Sequence, residues 1–227
     1  MDVTAALEAE NIIPDVLAPD TKVPCNLKVV FPSARLEKPG EMIDRDATKY
    51  KPTVFVDPPV STETTKPLYT LMMVDPDLTR RHDTRFGQVR HWLTTKAAIS
   101  HSGEVIDSKN TTISSWVGPA PLPGHFMGGK PHPSRYTFIL CQHRNEDPPA
   151  KFDVDSMRAH YEGLPGELGY PSQDMIDRWK FNTQQFMDRN DLEVVGATYM
   201  LVEGDLRSGM ANMGLAAEAI ANKAVGR

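Results

Sequence analysis

The chain has 227 residues, of which 24% are charged and 40% hydrophobic. That length suits one domain burying roughly 70% of its unfolded surface, and the balance excludes a disordered or membrane-embedded class. Thirty Asp and Glu against 25 Lys and Arg give a net charge of −5, which repels nucleic acid and anionic surfaces at long range, so any anion site must be local.

Residues 3–10 are Ala- and Glu-rich and predict a short helix, and Pro14 stops the pattern after Ile12 and Ile13. Residues 1–19 therefore read as a short N-terminal arm. The opening MDVTAALEAE lacks the basic and apolar regions of a secretory signal, and no window approaches the ~18 apolar residues of a membrane span. The expectation is a cytoplasmic protein.

Segments 26–31, 53–56, 68–74, 88–95, 135–142 and 194–202 are β-like and are separated by stretches rich in Pro, Gly, Asp and Ser. The runs 68–74 and 136–141 are almost continuously apolar, which predicts strands covered on both faces. Nineteen prolines argue against long helices. One helix is predicted at 183–189, with Asn182 as N-cap and Gln185 three residues on. Residues 20–205 form the expected domain, mostly β. Residues 206–227, rich in Gly, Ala and Met, read as a C-terminal tail.

The two cysteines, Cys25 and Cys141, are far apart and lack C-x-x-C spacing, so neither a disulfide framework nor a thiolate zinc site is expected. The sequon at Asn110 is a chance match in a chain with no secretory signal.

The informative stretch is 69–95, where an apolar strand runs into Asp75-Pro76-Asp77 and a later strand carries His91 between Arg90 and Trp92. An isolated Asp-Pro-Asp reads first as a turn. At the end of an apolar strand, however, a carboxylate needs a partner, and His91 is the natural one. An Asp75 that orients the His91 imidazole would leave a donor for phosphate or carboxylate, with binding that weakens as pH rises through the histidine titration. Arg80, Arg81 and Arg85 read as a solvated charge run beside this loop, and Met72, Met73 and Trp92 as core.

The strand ending in Asp-Pro-Asp and followed by His91 resembles the phosphatidylethanolamine-binding family. Residues 116–139 (WVGPAPLPGHFMGGKPHPSRYTFI) are similar to its Gly- and Pro-rich loop before an Arg-Tyr strand, and KFNTQQFMDRNDLEVVGATYMLVE to its closing helix and strand. The resemblance spans roughly 20–205. It implies an antiparallel β-sandwich with a few peripheral helices and a small pocket for phosphate, a phosphorylated small molecule or a phospholipid headgroup. On that resemblance Asp75 and Asp77 fall on the acidic loop, His91 on the pocket histidine and Gly118 and Pro121 on the rim. Tyr136 falls on the Arg-Tyr strand, and Tyr199 on the closing strand as a wall residue. The sequence departs from the family pattern at Thr79, Val89, Ala120 and Ser134, and its loop 123–131 is long, with His125 or His132 as substitutes for a missing loop histidine.

The resemblance further implies a scaffold or inhibitor rather than an enzyme, with a serine carboxypeptidase or a signalling protein as partner. The arm is most similar to the carboxypeptidase Y inhibitor branch, which implies that residues 1–16 contact a peptidase and contribute little to folding. Neither a cofactor nor a metal is expected. The competing class is a hydrolase or metal-dependent enzyme using Asp75 and His91. Against it stand the absence of a G-x-S-x-G elbow, of an activated cysteine setting and of metal-ligand spacing around Asp75, Asp77, His91 and His132.

Overall fold

A computed structural model of the chain describes residues 2–59, 68–77, 81, 87–121, 132–144 and 177–204. The expected tail 206–227 and loop 123–131 lie outside the described residues, as do Thr79, Arg80, Arg85 and His125.

Six longer strands carry the architecture: β1 (Cys25–Val30), β4 (Thr53–Asp57), β5 (Tyr69–Asp75), β6 (Val89–Ile99), β9 (Ser134–His143) and β10 (Leu192–Val202). Short strands join them: β2 (Arg35–Leu36), β3 (Glu41–Met42), β7 (Val105–Ile106) and β8 (Thr112–Ser114). The order is β2-β1-β10-β9-β5-β6-β7, with β3 beside β10, β4 beside β1 and β8 beside β6. Most pairs are antiparallel, but β1 and β3 each run parallel to β10.

The mostly β fold of the phosphatidylethanolamine-binding type with a few peripheral helices is as expected, its sandwich formed by one curled sheet that is antiparallel in most of its pairs. Pairing is unbroken from β1 through β10, β9 and β5 to β6, so no seam separates two sheets. Instead the sheet returns on itself. Phe55 of β4 bridges Glu104, and the Val56 N–H donates to the Gly103 carbonyl at 2.9 Å, so β4 meets the β6–β7 hairpin. Bulges in β5–β6 and β9–β10 add the local twist that such closure needs.

The continuous apolar runs follow from this shape. On one face Tyr69, Leu71, Met73, Tyr136, Phe138 and Leu140 pack with Leu27 and Val29 of β1. The alternating residues Met72, Val74, Ile139 and Cys141 face a second cluster. Period-two alternation is present, but both faces are covered, so both must be apolar.

The second face is covered by helices. α1 (Val3–Ala9) is capped by Asp2, whose carboxylate accepts from the Ala5 N–H at 3.1 Å. After Asn11, the turn α2 (Ile12–Asp15) follows, in which Ile13 leaves the helical region ahead of Pro14. α3 (Thr183–Arg189) starts where expected, with Asn182 Oδ1 accepting from the Gln185 N–H at 2.9 Å. Val3, Leu7, Ile12, Ile13, Val16 and Leu17 are all buried among Val74, Ile139, Phe181 and Phe186. This corrects the reading of the arm as dispensable for folding. The run NIIPDVL is apolar because it is core.

Candidate functional site

β5 is buried at every residue through Asp75, where the chain leaves the sheet at Pro76. A buried carboxylate there needs local donors, and the Asp77 N–H supplies one to Asp75 Oδ1 at 2.7 Å. His91 reaches the same place through a register shift. Met73 pairs with Trp92 but Val74 pairs with Arg90, so His91 is the extra residue of a bulge in β6. A bulge re-aims a side chain that regular pleating would send elsewhere.

The segment after β8 then fixes the ring. His91 Nδ1–H donates to the Val117 carbonyl at 3.0 Å, and the Val117 N–H donates to the His91 carbonyl at 3.0 Å. Tyr136 of β9 stands edge-on to the imidazole, with ring centroids 5.2 Å apart and planes at 84°. Gly118 lies so close to the 46–48 turn that a Cβ there would be 2.9 Å from the Thr48 carbonyl oxygen. The structure thus brings Asp75, His91, Gly118 and Tyr136 together, with Pro121 buried at the end of the same described segment.

The electrostatics are those of a dry pocket. Burial pushes the Asp75 carboxyl up to about 7, and the nearby Asp77 carboxylate adds to the rise. Burial pushes His91 down to about 4, opposed by its bond to Val117 and assisted by the Arg178 guanidinium. His91 is therefore neutral near pH 7. With its Nδ1 proton committed to Val117, Nε2 carries the lone pair and lies 4.0 Å from Asp75 Oδ2, too far for a hydrogen bond. This corrects the expectation that Asp75 orients the ring, for the Val117 carbonyl does so. Burial likewise moves the titration of His91, and any pH dependence arising from it, well below its ordinary value. Tyr136 Oη is fully buried, close enough to the Asp75 carboxyl and the Ala120 backbone to feel both, yet it completes no hydrogen bond of good geometry among the described residues.

The sequence profile of the family described as Phosphatidylethanolamine-binding protein matches residues 33–199. The chain belongs to the phosphatidylethanolamine-binding protein family. Among curated relatives, the uncharacterized protein YLR179C of Saccharomyces cerevisiae is 25% identical over 207 residues, covering 88% of this chain and 93% of its own. Two solved structures share the fold. Carboxypeptidase Y inhibitor, complexed with its cognate proteinase, superposes with a TM-score of 0.66 at 17% identity, covering 89% of this chain and 95% of that one. The phosphatidylethanolamine-binding protein of Plasmodium vivax does so with a TM-score of 0.62 at 22% identity, covering 89% and 98%.

Two other residues that the resemblance places in the pocket of this family member make their contacts elsewhere. Asp77 faces the arm and accepts a two-pronged ion pair from Arg135, Nε and Nη2 each at 2.8 Å, as well as the Arg135 main-chain N–H at 3.0 Å. Arg135 in turn donates to the Glu10 carbonyl at 2.7 Å and pairs with Asp15 at 2.9 Å. Asp77 is thus the anchor of a buried cation that ties down the arm. Tyr199 lies in the cluster under the arm, its hydroxyl against Gly40 and near Glu10 and Arg81. Arg81, read as solvated, pairs with Glu10 at 3.0 Å. Ser134, at the position of the missing histidine, is buried, and His132 Nε2 accepts from the Arg81 N–H at 3.1 Å rather than entering the cluster.

A separate cleft of about 280 Å³ opens on the arm side, lined by Asp15, Pro76, Gly87, Gln88, Arg135 and Phe181, with Asn182 at its edge. Its polar groups are already engaged, Arg135 as above and Gln88 with the Asp15 carbonyl and the Thr183 N–H, each at 3.1 Å. Tyr136 Oη, one of several buried polar atoms that complete no hydrogen bond among the described residues, belongs to the Asp75 cluster, and the site is assigned there because His91 and Asp75 stand beside it.

Proposed function

We propose that this chain is a non-catalytic binding protein whose Asp75–His91–Gly118–Tyr136 pocket, rimmed by Pro121, takes a small oxyanion, either free phosphate or the phosphoryl group of a headgroup. The observation that carries this reading is the fully buried Tyr136 hydroxyl, which completes no hydrogen bond beside a histidine aimed by a β-bulge. A buried hydroxyl without a partner costs about 1–3 kcal/mol, which an incoming acceptor recovers. The same cluster holds no serine or cysteine nucleophile, and among the described residues no three His, Cys, Asp or Glu side chains gather as metal ligands. Binding rather than turnover is the chemistry such groups support.

Calorimetric titration of the full chain with inorganic phosphate and with phosphorylethanolamine tests the reading. Saturable binding is expected for wild type, with at least a tenfold loss in Tyr136→Phe, which keeps the ring and removes the donor. Equal binding by both proteins would refute it. A protein partner is the second reading, favoured by the exposed Tyr50, whose neighbour Lys49 abuts Gly118, and by Val117, 38% exposed. The fold shared with carboxypeptidase Y inhibitor makes a serine carboxypeptidase the first partner to try, alongside signalling proteins, and a cytoplasmic setting accords with two unpaired cysteines.

A further inference from the structure

We propose that oxyanion binding at this pocket is coupled to the uptake of one proton by the Asp75 carboxyl, so that the site admits anions in its protonated state and favours ligands that carry a hydrogen of their own. The inference rests on the anion-pocket reading and goes beyond it, because it specifies the charge balance of the site and the class of ligand that fits.

The difficulty it resolves is geometric. The Asp75 carboxyl is 2% exposed, and an anion seated against Tyr136 Oη would lie beside it with little water to screen the two charges. Among the described residues, the groups facing Asp75 give no free positive charge. From β9, Arg135 has its fork taken by Asp77 at 2.8 Å and a further bond to Asp15, and Tyr136 is neutral, its hydroxyl held well above its ordinary range by burial and the two aspartates. From the turn after β5, Asp77 is a second negative charge. From β6, His91 shows a lone pair at Nε2 because its Nδ1 proton is on the Val117 carbonyl. Behind it, Arg178 donates to the carbonyls of His91 at 3.1 Å and Ser115 at 2.9 Å. The segment 115–121 brings no charged side chain, its polar groups being the Ser115 hydroxyl, the Trp116 indole N–H and the backbone.

A proton taken from solvent onto Asp75 removes the repulsion and converts an acceptor into a donor, so that Asp75 and Tyr136 together offer two O–H groups to one oxyanion. The elevated affinity of this carboxyl for protons accords with that role. His91 Nε2 then remains as an acceptor, and it suits a ligand such as a phosphate monoanion, whose own P–O–H can donate to it. Sulfate, which has no proton to give near neutral pH, lacks that bond.

Sulfate is for the same reason the clean probe, since its charge is constant from pH 5 to 9 and any pH dependence belongs to the protein. Isothermal titration of the full chain with sulfate is expected to show a Kd that is flat below about pH 6 and rises about tenfold per pH unit above pH 7. Titrations at pH 8 in two buffers of different ionisation heat should report one proton taken up per anion. Asp75→Asn should abolish both the slope and the uptake, and at pH 6.5 phosphate should outbind sulfate in wild type. A pH-independent Kd, no proton uptake by wild type, or the same slope in Asp75→Asn would each overturn the proposal while leaving the anion pocket standing. Absence of both sulfate and phosphate binding at pH 6 would refute the pocket itself and this proposal with it. The proton count uses wild type alone, so the decision holds even if the variant fails to fold.

Discussion

Replacing Leu7 by alanine tests whether the N-terminal arm is part of the folded core. Leu7 is fully buried on α1 within the cluster that joins the arm to β5, β9 and α3. Its position is fixed on all sides, because Val3 and Ile12 pack beside it and Arg135 holds the Glu10 carbonyl at 2.7 Å just beyond. Truncating a leucine in such a site removes its transfer free energy and leaves a cavity that the pinned arm cannot collapse, a loss of about 2–5 kcal/mol. For a domain of this size each kcal/mol lowers Tm by about 2–4 °C, so a fall of about 4–20 °C is expected. Scanning calorimetry on wild type, Leu7→Ala and the exposed control Glu8→Ala gives the answer, the control staying within about 0.5 kcal/mol of wild type. A fall of less than about 1 °C for Leu7→Ala would refute the reasoning. It would restore the arm as an appendage that docks without stabilising the sheet.

Two further outcomes follow from the pocket. Asp75 holds its proton up to about 7 when folded against 3.8 ordinarily, so the native state is favoured less as pH rises through that window. His91, depressed from 6.5 to about 4, has the opposite sign, its contribution being present above 6.5 and lost as pH falls towards 4. Urea denaturation from pH 4.5 to 6.5 should therefore show the stability of Asp75→Asn rising with pH relative to wild type and that of His91→Gln falling, and parallel profiles would contradict the assignment. Gly118→Ala would set a Cβ 2.9 Å from the Thr48 carbonyl oxygen, a backbone atom that cannot rotate aside. A loss of about 1–3 kcal/mol in thermal unfolding is expected from this overpacking, with weaker phosphate binding because the rim must move.

How much of this was legible in the sequence depended on whether the signal was local. The long strands could be read because both faces of β5 and β9 are apolar for at least six residues, a density that little else produces. β2, β3, β7 and β8 span two or three residues each, too few for a period of two to repeat. Asp75 and Asp77 looked equivalent, yet the chain leaves the strand at Pro76 and the two carboxyls finish with different partners, Asp75 beside Tyr136 and Asp77 on the Arg135 guanidinium. The bulge that aims His91 is a matter of register between β5 and β6 and has no trace in either strand alone. Arg135 did carry a signal, since a cation heading an apolar run must find a buried carboxylate, and Asp77 was the one on offer. The density of isoleucine, valine and leucine at 12–17 was a comparable signal of docking.

The placement of β10 has a consequence for how the protein is made. β10 sits between β1 and β9, pairing with Gly196 opposite Cys25 on one side and with nearly the whole of β9 on the other. A nascent chain that has exposed β1, β5 and β9 therefore still lacks the strand that joins them. Ribosomes add about 5–20 residues per second, so roughly ten to thirty seconds separate the synthesis of β1 from that of its parallel neighbour. Through that interval the apolar arm and the unpaired edges of β1 and β9 have no native cover, and closing so long a loop is slow in itself. Folding is thus completed only once β10 has been synthesised, and chains terminated before residue 192 would leave two open sheet edges for holdase chaperones or for aggregation.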